Sequence, residues 1–201
     1  MTTNGGVSRD RQRDPEDLSY SPIAQILHWV VVALLVTQFT LAWSMPGIGR
    51  ETVPETLIKL HMSFGVLILL IATMRLTSRI IVPPPPPLSG LPKWQLLTSK
   101  WVHRLLYVLL FVIPLLGWLN ASYRGFTVRP FGLVKLLPLI ASRTTDPPGS
   151  LSWGWTGEVH MVLAYVLLGV IALHVIAALY HHFILRNRTL ARMLPGVRVN
   201  P

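Results

Sequence analysis

Seven histidines are the side chains of this sequence with the clearest capacity for chemistry, and each falls within or at the end of a long apolar stretch. They are His28, His61, His103, His160, His174, His181 and His182. An ionisable side chain inside a lipid bilayer is costly, and such side chains usually face the interior of a helix bundle, with a partner or a cofactor. Their distribution therefore indicates a site buried within a membrane.

Two of these histidines share one predicted helix. His160 and His174 are fourteen residues apart, so on an α-helix they lie within about 40° of the same face and about 21 Å apart along the axis. At one depth only His61 could pair with His160. At the other depth, His28 and His103 could each pair with His174.

Two cross-helix imidazole pairs match the needs of two haem groups. A porphyrin supplies four equatorial nitrogens and leaves iron with two axial positions for neutral imidazoles. With both positions filled, electron transfer is favoured over binding of oxygen at iron. A single histidine in such a helix is more often a polar packing residue, and a bundle without haem, such as a small transporter, is the competing interpretation. For His181 and His182 we expect a contact with a lipid headgroup or a haem propionate.

The apolar stretches define the predicted architecture. The chain has 201 residues, of which 51% are hydrophobic and only 13% charged, and its mean hydropathy is +0.50. Four segments, at about 23–45, 57–77, 101–120 and 157–185, each have the length needed to cross about 30 Å of hydrocarbon. The sequence predicts an all-α membrane protein, a four-transmembrane-helix bundle with two b haems in its interior. Residues 1–20 and 197–201 are predicted tails, and residues 21–196 form the membrane domain.

Charge and composition narrow the function further. The net charge of +10 is spread over segments beside the membrane, so we expect contact with membrane lipid and not with nucleic acid. Twelve lysines and arginines lie before the first span, around the second connection or after the fourth span, against six around the other connections, and this predicts that both termini lie in the cytoplasm. The chain has no cysteine, and this excludes covalently attached c-type haem, cysteine-ligated iron–sulfur clusters, thiolate catalysis and disulfides.

The connection between the third and fourth spans is the longest and carries several cations. We expect its basic side chains to attract a small anion such as superoxide, although contact with lipid headgroups would also explain them. These residues are Arg124, Arg129, Lys135 and Arg143. The apolar segment 131–141 within this connection is expected to lie in the membrane interface. At the opposite end, Arg75 and Arg104 are candidate partners for haem propionates.

Several motifs together resemble the bacterial cytochrome b561 family, whose members are two-haem, four-helix membrane cytochromes and include superoxide oxidase. The motifs are AQILHW (24–29), KLHMSFG (59–65), HRLLYVLLFVIPLLGW (103–118), FGLVKLLPLI (131–140) and HVIAALYHHFILRNRTLARMLPG (174–196). The resemblance implies axial iron ligation by His28 with His174 and by His61 with His160. It leaves His103 as a candidate for quinone contact or proton delivery.

The resemblance also implies a location and a reaction. The protein would lie in the bacterial inner membrane, take electrons from a periplasmic donor, with superoxide as the expected one, and reduce ubiquinone as a superoxide:quinone oxidoreductase. The alternative is an electron-transfer subunit that relays electrons between a separate periplasmic redox protein and the quinone pool.

Overall fold

The computed structural model describes residues 18–47, 55–142 and 154–196, and these ranges contain four long α-helices and no β-strand. The helices are α1 (Pro22–Ser44), α2 (Thr56–Ile81), α3 (Lys93–Tyr123) and α4 (Trp155–Phe183). Each is long and apolar enough to cross a membrane. The predicted all-α membrane architecture is confirmed. Residues 1–17 of the predicted N-terminal tail, the predicted C-terminal tail 197–201 and Arg143 lie outside the described residues.

The helix ends show what hydropathy can and cannot predict. α1 begins with a proline at its first position, after Ser21, whose hydroxyl accepts a hydrogen bond from the backbone N–H of Ala24 at 3.3 Å; both features favour a helix start. α3, however, begins at Lys93, eight residues before the predicted span at 101. Hydropathy marks only the part of a helix that lies in hydrocarbon, and the polar first turns of α3 continue beyond that part.

Buried apolar side chains fill the middle of the bundle. α1 packs chiefly against α2, and α3 against α4. Two core clusters form there, one of Val31, Leu34, Ile68, Ala72 and Leu110, the other of Leu109, Ile113 and Leu167. Leu167 lies midway between His160 and His174, and Ile68 lies seven residues after His61. The core therefore separates two layers of histidines, one toward each end of the bundle.

We call the end at which α1 ends and α2 begins the outer end, and the opposite one the inner end. At the inner end the chain after α4 folds back under α1. Arg192, only 5% exposed, donates from Nε to the carbonyl oxygen of Leu18 at 2.6 Å and from Nη1 to that of Pro86 at 3.0 Å. The indole N–H of Trp29 donates to the carbonyl oxygen of Met193 at 3.0 Å. These bonds tie both ends of the described chain to the proline-rich connection between α2 and α3.

Candidate functional site

At the outer end, imidazoles from α2 and α4 face each other. The ring centres of His61 and His160 are 6.1 Å apart, and the ring planes are inclined at 74°. Two imidazole nitrogens that bind one metal at about 2 Å each place their ring centres about 6 Å apart. The observed separation matches that requirement.

At the inner end, three imidazoles gather around α4. The ring centres of His28 and His174 are 6.4 Å apart with planes at 74°, nearly the geometry of the outer pair. His103 lies closer to His174, at 5.1 Å and 86°. That spacing is short for two imidazoles with a metal between them. Among the described residues, no three histidine or acidic side chains converge on one point where they could hold a metal ion.

The orientation of His160 is fixed from α3. Its Nδ1 lies 2.8 Å from the carbonyl oxygen of Ile113. Because a carbonyl can only accept, Nδ1 carries the hydrogen, and the lone pair of Nε2 remains available to a metal. The acceptor belongs to a neighbouring helix and not to α4 itself, because α3 and α4 approach closely at this point.

A glycine makes this approach possible. A Cβ atom added at Gly117 would lie 3.0 Å from Cε1 and 3.2 Å from Nδ1 of His160. Any larger residue at this position would push the imidazole away from α3. Gly117 and the carbonyl of Ile113 therefore determine the position of the His160 ring. The spacing of the histidines in the sequence does not indicate either residue.

His61 is held differently, by a side chain of α1. The amide nitrogen of Gln38 lies 3.2 Å from Nε2 of His61 and 3.1 Å from its carbonyl oxygen. Nδ1 of His61 and Oε1 of Gln38 are buried and have no hydrogen-bond partner among the described residues. Unsatisfied buried polar atoms are unfavourable, so a bound group would fit here, and a metal bound at Nε2 of His61 would take the place of the Gln38 amide. Sequence reasoning also missed Gln38.

A cavity surrounds the outer pair. It measures about 650 Å³ and is lined by residues of all four helices, including His61 and His160. Its wall is mainly apolar, with a few polar groups such as Gln38, Asn120 and Glu158. Cofactor-sized ligands occupy cavities of about 300–1,000 Å³ with this kind of lining. The outer site therefore has the donors, the space and the lining that a b-type haem needs.

The remaining histidines have local partners. Nδ1 of His103 donates to the carbonyl oxygen of Ser99, one turn back, at 2.7 Å, so the lone pair of its Nε2 is available. His181 accepts at Nδ1 from the side-chain amide of Asn187 at 2.8 Å, just after the end of α4. The ring of His182 is exposed and packs edge-on against Phe183.

The predicted basic residues at the outer end differ in position. Arg124 lines the outer cavity, and its guanidinium lies 5.5 Å from the ring centre of Phe126. Arg129 and Lys135 are exposed on the connection between α3 and α4. Of the described cations in that connection, Arg124 is thus the one at the wall of the histidine-containing cavity.

The two arginines at the inner end that were predicted to contact haem propionates also differ in their surroundings. Arg75 donates to the carbonyl oxygen of Ala24 at 2.9 Å, and it interacts electrostatically with His28 and His174. Arg104 is instead exposed, with its guanidinium 5.0 Å from the ring centre of Trp101. Arg79, which sequence reasoning did not select, interacts electrostatically with His103.

Four membrane-spanning helices with facing imidazoles toward both ends define a membrane protein of the haem-binding, electron-transferring class. The chain belongs to the prokaryotic cytochrome b561 family, whose model matches residues 19–196. Family membership implies membrane electron transfer with b-type haem.

Named relatives cover nearly the whole chain. Cytochrome b561 homolog 2 of Escherichia coli (strain K12) is 28% identical over 180 residues, which are 87% of this chain and 90% of the relative. A protein of Yersinia pestis named probable superoxide oxidase CybB is 28% identical over 183 residues, 89% of this chain and 97% of the relative. Cytochrome b561 homolog 1 of E. coli (strain K12) is 26% identical over 184 residues, which are 84% of this chain and 93% of the relative.

Proposed function

We propose that this protein is a di-haem b cytochrome that oxidises superoxide at its outer end and reduces ubiquinone. The observation that carries the proposal is the pair of facing imidazoles at each end of one bundle, at 6.1 and 6.4 Å. A bound b-type haem supplies one-electron oxidation and reduction at its iron. Two such sites at different depths would let electrons cross the apolar core between the two ends.

Four histidines would hold the two haems in this proposal. His61 and His160 would hold the outer haem, and His28 and His174 the inner one. The hydrogen bond from His160 to the carbonyl of Ile113 supports the first assignment, because it directs the free lone pair of Nε2 away from the acceptor. The shorter separation of His103 from His174 favours His28 as the inner ligand.

The proposal that superoxide is the electron donor rests on two observations. A relative similar over 89% of this chain is named probable superoxide oxidase, and Arg124 lines the outer cavity. A cation at the cavity wall would raise the local concentration of a small anion, and Arg129, Lys135 and Arg143 would add to the positive potential. Two superoxide anions would each lose one electron to give oxygen. One ubiquinone would take up these two electrons and two protons to give ubiquinol.

At the inner end, His103 would contact quinone or deliver a proton. Its Nδ1–H is engaged by Ser99, so Nε2 is the atom that could accept a hydrogen bond or pass on a proton. Arg75, beside His28 and His174, would face a propionate of the inner haem. Arg104 remains a weaker candidate for that role because its guanidinium lies against Trp101.

The distribution of cations supports an orientation. We place the outer end in the periplasm and both termini in the cytoplasm, as a multi-pass protein of the bacterial inner membrane, with residues 21–196 forming the membrane domain. Protease protection of tags placed at the two termini would test this orientation in sealed inverted vesicles. Cleavage of both tags is expected, whereas protection of either would contradict it.

The alternative function is an electron-transfer subunit that takes electrons from a periplasmic redox protein. An experiment on the purified protein with ubiquinone distinguishes the two functions. Addition of superoxide should reduce the haems rapidly and produce ubiquinol without any protein donor. If superoxide leaves the haems oxidised, while a reduced protein donor reduces them, the relay function replaces the proposed one.

A further inference from the structure

The connection that follows α3 is fixed to the bundle at two buried hydroxyls. The backbone N–H of Phe131 donates to Oγ of Ser63 on α2, and that of Leu139 donates to Oγ of Ser122 on α3, both at 3.0 Å. Each serine is only 2% exposed. The N–H of Leu136 donates within the connection to the carbonyl of Val128 at 3.0 Å. Residues 126–142 are therefore held in a defined position.

Phe131 sets the direction of this connection. It has a left-handed backbone conformation (φ 49°, ψ 24°), which is strained for a bulky residue. The bond to Ser63 holds it there, together with an edge-to-face contact with Phe64, whose ring centre is 5.4 Å away. Gly132 follows with φ 75°. The chain consequently turns outward directly after its anchor on α2.

The turn presents large apolar side chains to the surroundings. Leu133 is 82% exposed, Leu137 81% and Val134 61%. The first two have the largest exposed fractions among the exposed large hydrophobic residues of the described chain. Lys135 lies between them and is also exposed. We call Leu133, Val134 and Leu137 the apolar tip. A rigid loop that exposes such a group of side chains indicates an interaction surface.

The anchor on α2 gives the depth of the tip. From Ser63 to the end of α2 at Ile81 the helix rises about 27 Å at about 1.5 Å per residue, close to the hydrocarbon thickness of about 30 Å. Irregular backbone does not face lipid within the hydrocarbon. The level of Ser63 and Phe131 therefore corresponds to the outer boundary of the hydrocarbon.

We propose that the apolar tip inserts into the outer lipid interface and anchors residues 126–142 on the membrane surface. The partner is the bilayer because the tip directly follows an anchor at boundary depth, and because the neighbouring Lys135 can reach lipid phosphates. Trp43 and Trp155, exposed at the outer ends of α1 and α4, are typical of the same layer. His61, two residues before Ser63, would then lie at this boundary, within reach of a water-soluble donor.

Spin labels can test the insertion directly, since the chain has no cysteine of its own. Leu133→Cys, Val134→Cys and Leu137→Cys variants would be labelled with a nitroxide in vesicles of phosphatidylcholine and phosphatidylglycerol. Relaxation by oxygen, which concentrates in lipid, is compared with relaxation by a water-soluble nickel chelate. Leu70→Cys, exposed on the middle of α2, provides the hydrocarbon reference, and Pro87→Cys, exposed between α2 and α3, the water reference.

The proposal predicts a ratio of oxygen to nickel relaxation at all three tip positions that is several-fold above that at position 87 and approaches that at position 70. A ratio equal to that at position 87 would show that the tip lies in water and would overturn the proposal. Low access to both reagents, with spin–spin coupling between labels, would indicate contact with a second copy and would also overturn it. The proposal is independent of the electron donor, and an unchanged haem spectrum in each labelled variant shows that the bundle is intact.

Discussion

Nδ1 of His160 on α4 donates a hydrogen bond to the carbonyl oxygen of Ile113 on α3, at 2.8 Å. One helix thus carries the imidazole and another fixes its direction. The bond requires α3 and α4 to approach closely, and Gly117, one turn after Ile113, provides the space.

Gly117→Ala should weaken the outer haem site. The added methyl group would lie 3.0 Å from the His160 ring, so the imidazole must move and its bond to Ile113 must lengthen. Loss of a supporting contact around a metal ligand typically lowers affinity about 10- to 100-fold. Haem titration of the apoprotein measures the effect. Gly169→Ala on the same bundle is the matched control, because its added Cβ meets nothing within 4 Å; equal affinity in the two variants would contradict the prediction.

Single replacements of the paired histidines should remove one haem each. His61→Ala or His160→Ala should abolish the outer haem alone, and His28→Ala or His174→Ala the inner haem alone, because the two pairs lie at opposite ends of the core. The haem-to-protein ratio should fall from two to one, and a redox titration should lose one of two components. His103→Ala should keep both haems. A loss of haem in His103→Ala as large as that in His28→Ala would assign the inner ligand to His103.

Arg124→Gln should slow the reaction with superoxide several-fold at low ionic strength. Arg124 lines the outer cavity, so its charge acts where a small anion would enter, and salt should shrink the difference from the wild-type protein as screening increases. Stopped-flow measurement of haem reduction gives the rate. Arg186→Gln removes one exposed cation at the inner end and should leave the rate unchanged. A salt-independent loss in Arg124→Gln would point to a structural effect.

Arg192→Ala should destabilise the folded protein by about 2–4 kcal/mol, because it removes the charge-assisted hydrogen bonds from a buried guanidinium to two backbone carbonyl groups. Those carbonyls belong to Leu18 and Pro86, which the guanidinium joins across the inner end. Thermal unfolding in detergent, followed by circular dichroism, measures the change. Arg186→Ala also removes one cation near the end of α4, but from an exposed position, and it should unfold close to the wild-type temperature.

The sequence by itself determined the class of fold and the chemical nature of the site. Apolar segments of spanning length can be stable only as helices in a membrane, and the structure has four of them. The absence of cysteine and the fourteen-residue spacing of His160 and His174 likewise follow from the sequence. Both histidines lie on α4, with the buried Leu167 midway between them.

Only the tertiary structure decided which groups support those histidines. The partners of His160 and His61 come from α3 and α1, through a backbone carbonyl and the side chain of Gln38. A carbonyl is present at every residue, so its role depends on where two helices meet and not on residue type. The same reason explains why the position of the His160 ring against Gly117 could not be predicted from hydropathy. Helix formation depends on local sequence and solvent, whereas these contacts depend on the packing of distant segments.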